Sequence, residues 1–233
     1  MTAEPNAGFR HFHEQLGTLK QRVLAMSARA EELVERSVES LLTRDVAKAQ
    51  SVIDADRELD QQELEVEALA IELLALQQPM ARDLRFLVSA IKVTSDLERV
   101  GDHAVNIAQS AERLAQSRPI TPEPEIIEMA RLAREMLSDA LEAFIRGDAA
   151  AGREVCRRDD RVDALHRSVF RILLTHMMED AHSISAGMEL FLVSRNLERV
   201  ADLATNIGED VVFLVEGKSI KHHAEDRGEP ANV

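Results

Sequence analysis

Leu97-Glu98-Arg99-Val100-Gly101-Asp102-His103-Ala104-Val105-Asn106-Ile107 occurs a second time as Leu197-Glu198-Arg199-Val200-Ala201-Asp202-Leu203-Ala204-Thr205-Asn206-Ile207. The offset is 100 residues, and the copies differ only at Gly101/Ala201, His103/Leu203 and Val105/Thr205. Amphipathic bias alone repeats Leu and Ala, not a fixed set of Glu, Arg, Asp and Asn. The stretch therefore reads as an internal duplication with a function in each half.

On a helix Glu98, Asp102 and Asn106 stack along one side, four residues apart. Leu84, Leu87, Ile91 and Val105 fall on that same side, and in the second copy Ile184, Phe191 and Thr205 accompany Glu198, Asp202 and Asn206. The carboxylates thus continue an apolar stripe. Like charges at this spacing cost a few tenths of a kcal/mol on an exposed helix and far more on a packed face. Two such pairs in matching places imply a cation or a basic partner.

Working outward, the duplication extends to Asp45–Asp60, which parallels Asp148–Asp163. Each copy carries Asp-x-x-x-Asp: Asp56 with Asp60, and Asp159 with Asp163. Asp159 and Asp163 align with Val155, Phe170 and Met177; Asp56 and Asp60 align with Val52, Leu74, Glu63 and Glu67. If the two acidic helices of a half pack together, their carboxylates and an amide oxygen form an oxygen-rich set. Such a set suits a hard or borderline cation such as iron, manganese, magnesium or calcium.

Helix-favouring periodicity fills the spaces between the motifs. It predicts an all-α fold of two tandem, pseudo-symmetric three-helix bundles. The first, in residues 1–117, has helices at about 9–43, 46–77 and 79–116. The second, in residues 118–233, has helices at about 125–146, 149–178 and 185–216 and ends in a frayed tail. The breaks are Arg44-Asp45 and Gly147-Asp148, with Asp45 as an N-cap; Gln78-Pro79; and a polar turn at 179–185 where Ser183 or Ser185 is placed to cap. Three of six prolines, Pro119, Pro122 and Pro124, mark the midpoint. Residues 1–8 read as a loose leader.

Of 233 residues, 45% are hydrophobic and 30% charged, with 3% aromatic, so the chain has the composition of a globular helical protein. The net charge of −14 is shared evenly across residue 117. No basic arm stands out, and nucleic-acid binding is not expected. The single cysteine, Cys156, excludes an intrachain disulfide and a Cys-based zinc site. No apolar run reaches the ~18 residues of a membrane span, and no signal core is visible, so a cytoplasmic location is expected. There is no nucleophile–base pair and no Gly-rich phosphate loop, so the chain reads as a non-enzyme. Glu179-x-x-His182 matches a ferritin-like di-iron element, but that fold needs two copies. His166 reads as a network histidine, and His103 lies one place off the carboxylate stripe.

With these residues in view, the sequence resembles the PhoU family of phosphate-uptake regulators over roughly residues 10–216. The resemblance is carried by Glu-Arg-x-x-Asp-x-x-x-Asn-Ile in both halves, by the Asp-x-x-x-Asp of each middle helix, and by Gln78-Pro79-Met80-Ala81-Arg82-Asp83-Leu84-Arg85. It implies a non-catalytic adaptor that damps phosphate signalling by contacting a sensor histidine kinase and the ATPase of a phosphate ABC transporter, and it implies a homodimer. It further implies metal at the acidic motifs: iron, manganese, zinc or magnesium at Glu98, Asp102, Asn106, Glu198, Asp202, Asn206, Asp56, Asp60, Asp159 and Asp163, with no organic cofactor. Asp83 and Arg85 are the partner-binding candidates. The second half has Ser183-Ile184-Ser185 in their place, so that element belongs to the first half alone. The alternative function is a carboxylate-bridged metalloenzyme or metal store.

Overall fold

The computed structural model describes residues 7–117 and 122–220, with side chains from His11 onward. Six α-helices run α1 Ala7–Thr43, α2 Val46–Gln77, α3 Ala81–Ala115, α4 Pro124–Arg146, α5 Ala149–Glu179 and α6 Ile184–Glu216, with a 3₁₀ turn at Ala181–Ser183. There is no strand among the described residues. The all-α expectation holds, and the helix ends fall within about three residues of those read from the sequence. Of the leader read at residues 1–8, residues 7 and 8 belong to α1 instead, and residues 1–6, 118–121 and 221–233 lie outside the described residues, so the boundary drawn at 117/118 falls at their edge.

The breaks form for local reasons. The Asp45 carboxylate accepts from the Lys48 amide, and the Asp148 carboxylate accepts from the amides of Ala150 and Ala151. Each satisfies donors that a helix start leaves orphaned. Before each cap the backbone turns left-handed: φ is +65° at Gly147 and +55° at Arg44. Gly147 adopts this without strain. Arg44 does not, but its guanidinium donates to the carbonyls of Leu114, Ala115 and Ser117 at 2.7–3.0 Å, closing the C-terminal end of α3. Between α5 and α6 the expectation of a serine cap is corrected. Asp180 accepts from the His182 amide, whereas the Ser183 hydroxyl donates to the carbonyls of Asp180 and His176. Asp180 caps the 3₁₀ turn, and α6 itself starts from Ser183 without a side-chain cap.

Helices α1–α3 pack together, as do α4–α6, and the halves join chiefly along α3 and α6. These two run antiparallel. Arg85 reaches the Leu214 carbonyl, Lys92 reaches buried Asp210, His103 meets Asn196, and Arg113 meets Glu189. Numbers rise along one helix as they fall along the other, so the two copies of the motif cross near their own centres. Buried Leu87, Val93, Leu97, Val100, Ala104 and Ile107 of α3, with Leu190, Val193, Leu197, Val200, Ala204 and Ile207 of α6, place both helices in one continuous core.

Candidate functional site: mirrored acidic faces

In the first half the acidic residues of α2 and α3 come together. Glu98 is half-buried, and burial with the nearby charges of Asp102, Glu63, Asp60 and Asp56 pushes its carboxyl up to about 7. Asp56 is raised by burial and then by Asp60 and Asp102. Gly101 lies at the point of close approach. A Cβ there would meet Leu59 Cδ2 at 2.5 Å and Asp56 Oδ1 at 3.3 Å. A side chain at Gly101 would therefore have to displace Leu59 where the carboxylates gather.

The second half repeats this with changes. Asp159 is pushed up to about 6 by burial and then by Asp202, Asp163, Asp160 and Glu198. Asp202 is raised mainly by burial, against the pull of Arg199, whose Nη1 donates to its Oδ2 at 2.8 Å; Arg199 also lies 3.9 Å from Glu198. The matching Arg99 turns the other way, to Asp96 at 3.4 Å. The second acidic face therefore carries an internal counter-ion, whereas among the described residues no ion pair reaches Glu98 or Asp102. Helix contact is closest elsewhere here: Gly152 and Gly208 pack backbone to backbone, so that a Cβ on either would sit 2.7 Å from the other's carbonyl oxygen. Ala201, in the place of Gly101, is buried.

Two expectations need correction. The carboxylates were expected on a packed face, yet Asp60 and Asp102 are exposed and Asp56, Glu98, Asp159, Asp163, Glu198 and Asp202 are half-buried. Their stripe is the margin of the core: Leu84 is 41% exposed, Phe170 46% and Ile184 47%. Helix α3 packs against α1, α2 and α6 together, so its buried arc is centred on Leu97, Val100 and Ala104, and the acidic stripe falls at the edge of that arc. The second correction concerns the amides. Asn206 borders Asp159 and Asp202, but Asn106 is exposed and lines the groove between α3 and α6.

Glu63 is the member of the first face that the motif reading left out. It is half-buried, raised by burial, and hydrogen-bonded to Ser95. Its signal was present, since it shares the stripe of Asp56 and Asp60. At the matching place in the second half stands His166, whose Nδ1 lies 3.1 Å from Ser194 Oγ and whose ring stacks on Phe191 at 5.4 Å. That is the network role expected of it. Cys156 is half-buried; its thiol contacts the Gly152 and Thr205 carbonyls, and burial pushes it up to about 11. His182, 91% exposed at a helix break, pairs with Asp180.

The donor set of each face, carboxylate oxygens without thiolate, has the chemistry of a hard-cation site. As placed, no three His, Cys, Asp or Glu residues among the described residues close into a metal-holding group. The faces thus offer concentrated negative charge rather than a formed chelate. Of the partner candidates, Arg85 donates Nε to the Leu214 carbonyl at 3.0 Å and packs against Gly217, closing the end of α6. Asp83 is half-buried in a groove of about 480 Å³ with Arg82, Phe86, Phe144 and Arg146.

A duplicated six-helix protein with an acidic face on each half, and no strand among its described residues, is the class that this geometry defines. A family model described as "PhoU domain" matches twice, at residues 23–111 and 126–211. The chain is 37% identical over 217 residues to a phosphate-specific transport system accessory protein PhoU homolog of Aquifex aeolicus, covering 93% of this chain and 98% of that one. It is 38% identical over 212 residues to the homolog of Caulobacter vibrioides, covering 91% and 92%. The crystal structure of PhoU from Pseudomonas aeruginosa superposes with a TM-score of 0.85 at 34% identity, over 89% of this chain and all of that one. The phosphate transport system regulatory protein PhoU from Streptococcus pneumoniae gives 0.84 at 30%, over 90% and 99%. The chain belongs to the PhoU family.

Proposed function

We propose that the protein is a non-catalytic regulator of phosphate uptake and of phosphate-starvation signalling. It works as a cytoplasmic homodimer, by contact with the ATPase of a phosphate transporter and with a sensor histidine kinase. The observation that carries the reading is the near full-length match, in sequence and in shape, to proteins named as accessory or regulatory components of phosphate transport. Supporting it, no helix among the described residues is long and apolar enough to cross a membrane. Deleting the gene in its host should derepress phosphate-starvation genes in high phosphate, and the tagged protein should co-purify with the ATPase or the kinase. Normal repression together with recovery of neither partner would overturn the regulatory reading.

The acidic faces serve this role by holding a cation. Asp56, Asp60, Glu63, Glu98 and Asp102 would hold it in the first half, and Asp159, Asp163, Glu198 and Asp202 in the second, with Asn206 beside them. Iron, manganese, zinc and magnesium are the candidates. The support is electrostatic: beyond the effect of burial, the carboxylates of each face repel one another, and a bound cation relieves that repulsion as a proton does. Glu98→Gln with Asp102→Asn should roughly halve the bound metal while leaving helical content intact, and Glu198→Gln with Asp202→Asn should do the same. Unchanged metal content in both would remove the ligand assignment and leave the faces as protein-contact surfaces.

A further inference from the structure

Between the two acidic faces, where α3 crosses α6, the charge reverses. A groove of about 510 Å³ there is lined by Arg99, Arg113, Arg195 and Arg199 with His103, and by no carboxylate, in a chain whose net charge is −14. A smaller cavity of about 280 Å³ shares Arg99, His103 and Arg199 and extends to Asp159 and Asp202. Arg99 and Arg199 are the same residue of the duplicated motif, brought to one groove by the antiparallel crossing.

Their positive charge is only partly spent. Arg113 is held by Glu189 at 2.7 Å, and Arg199 by Asp202 at 2.8 Å. Arg99 makes the long 3.4 Å contact with Asp96. Exposed Arg195 forms no ion pair among the described residues. Beside them the Asn196 amide donates Nδ2 to the Leu192 carbonyl at 2.8 Å, which turns its Oδ1 to His103 Nδ1 at 2.9 Å and fixes the imidazole in the groove. Burial holds that imidazole below its ordinary value, against the Asn196 hydrogen bond and Asp102, with Arg99 and Arg199 pushing the same way as burial.

We infer that this seam binds a small phosphate-bearing anion, gripped by Arg99, Arg195 and Arg199 beside His103. Guanidinium forks match phosphate oxygens two at a time, which a lysine patch does not. The flanking carboxylates Glu98, Asp102 and Asp202 exclude an extended acidic chain, which would have to run past them, and favour a compact ligand confined to the crossing. The inference stands on the groove and does not depend on the regulatory reading.

The test is calorimetric titration of the full chain, with chelator present so that no metal bridges ligand and carboxylate, using inorganic phosphate, pyrophosphate and ADP in turn. Saturable binding of at least one, weakened about tenfold by Arg195→Gln and by Arg99→Gln, is expected. Arg157→Gln, on the exposed face of α5 beside Glu154 at 2.7 Å, should change nothing. Equal binding of pyrophosphate and ADP with weak inorganic phosphate assigns a diphosphate; binding of inorganic phosphate alone assigns the free ion. Circular dichroism checks that the variants, which alter exposed side chains, keep their fold. No saturable heat with any of the three at millimolar supply overturns the inference. So does binding that Arg195→Gln leaves untouched. Dissociation of an oligomer by Arg195→Gln without any anion binding would assign the groove to the acidic surface of a second copy instead.

Discussion

Glu98 shows how a single residue reports on the site. Its carboxyl is raised from 4.5 to about 7 by burial and by four neighbouring acids. A group raised in the folded state favours folding while protonated. This contribution is fully present below about pH 4.5 and is lost as the pH rises through about 7. In chelator, the wild-type melting temperature should fall between pH 5 and pH 8, and Glu98→Gln should flatten that fall and raise stability at pH 8. A pH profile unchanged by the substitution would show that Glu98 is neither desolvated nor coupled to its acidic neighbours as placed. The residues that carry this effect were legible because helical spacing alone lines up Glu98 with Asp102 and Asp56 with Asp60. The half-burial was not, because it depends on how many helices surround α3. Nor was the departure of Asn106 from its carboxylate neighbours, because a residue at the edge of a buried arc takes its side from the packing partner.

At the scale of elements, the glycines divide sharply. At Gly152 an added Cβ would meet the Gly208 carbonyl oxygen at 2.7 Å, and backbone cannot turn aside as a side chain can. Gly152→Ala should therefore destabilise by about 1–3 kcal/mol despite its better helix propensity. At Gly17 nothing lies within 4 Å of the added Cβ, and Gly17→Ala should stabilise by about 0.5–1 kcal/mol. Urea denaturation separates the two; equal effects would mean that α5 and α6 are not packed backbone to backbone. Caps test the same level: Asp148→Ala should cost about 1 kcal/mol through the two amides that it satisfies. The helix breaks could be read from sequence because turn chemistry is local, as at Asp45, Gly147 and Asp148. What closes the far ends could not. Arg44 reaches the end of α3 and Arg85 the end of α6 only after the bundles have formed.

For the whole molecule, the shared core and the long α3–α6 seam predict one cooperative unfolding transition rather than two. Calorimetry with equal van't Hoff and calorimetric enthalpies would agree, and two resolved steps would make each repeat an independent folding unit. The duplication was legible at this scale, but the crossing was not, since residues about 100 apart carry no local sign that they will meet. That crossing has a genealogical consequence. Two similar halves related by a pseudo-twofold and joined through the same helix of each are the arrangement of a self-complementary dimer whose subunits have become one chain. Within one chain each half can differ: His103 corresponds to Leu203, Glu63 to His166, and the closest helix contact lies at Gly101 in one half and at Gly152 and Gly208 in the other. An ancestor of one repeat would have had to present identical faces on both sides. A fused chain can keep one side acidic and open while the other supplies its own arginine, so that two sites of common descent answer to different occupants.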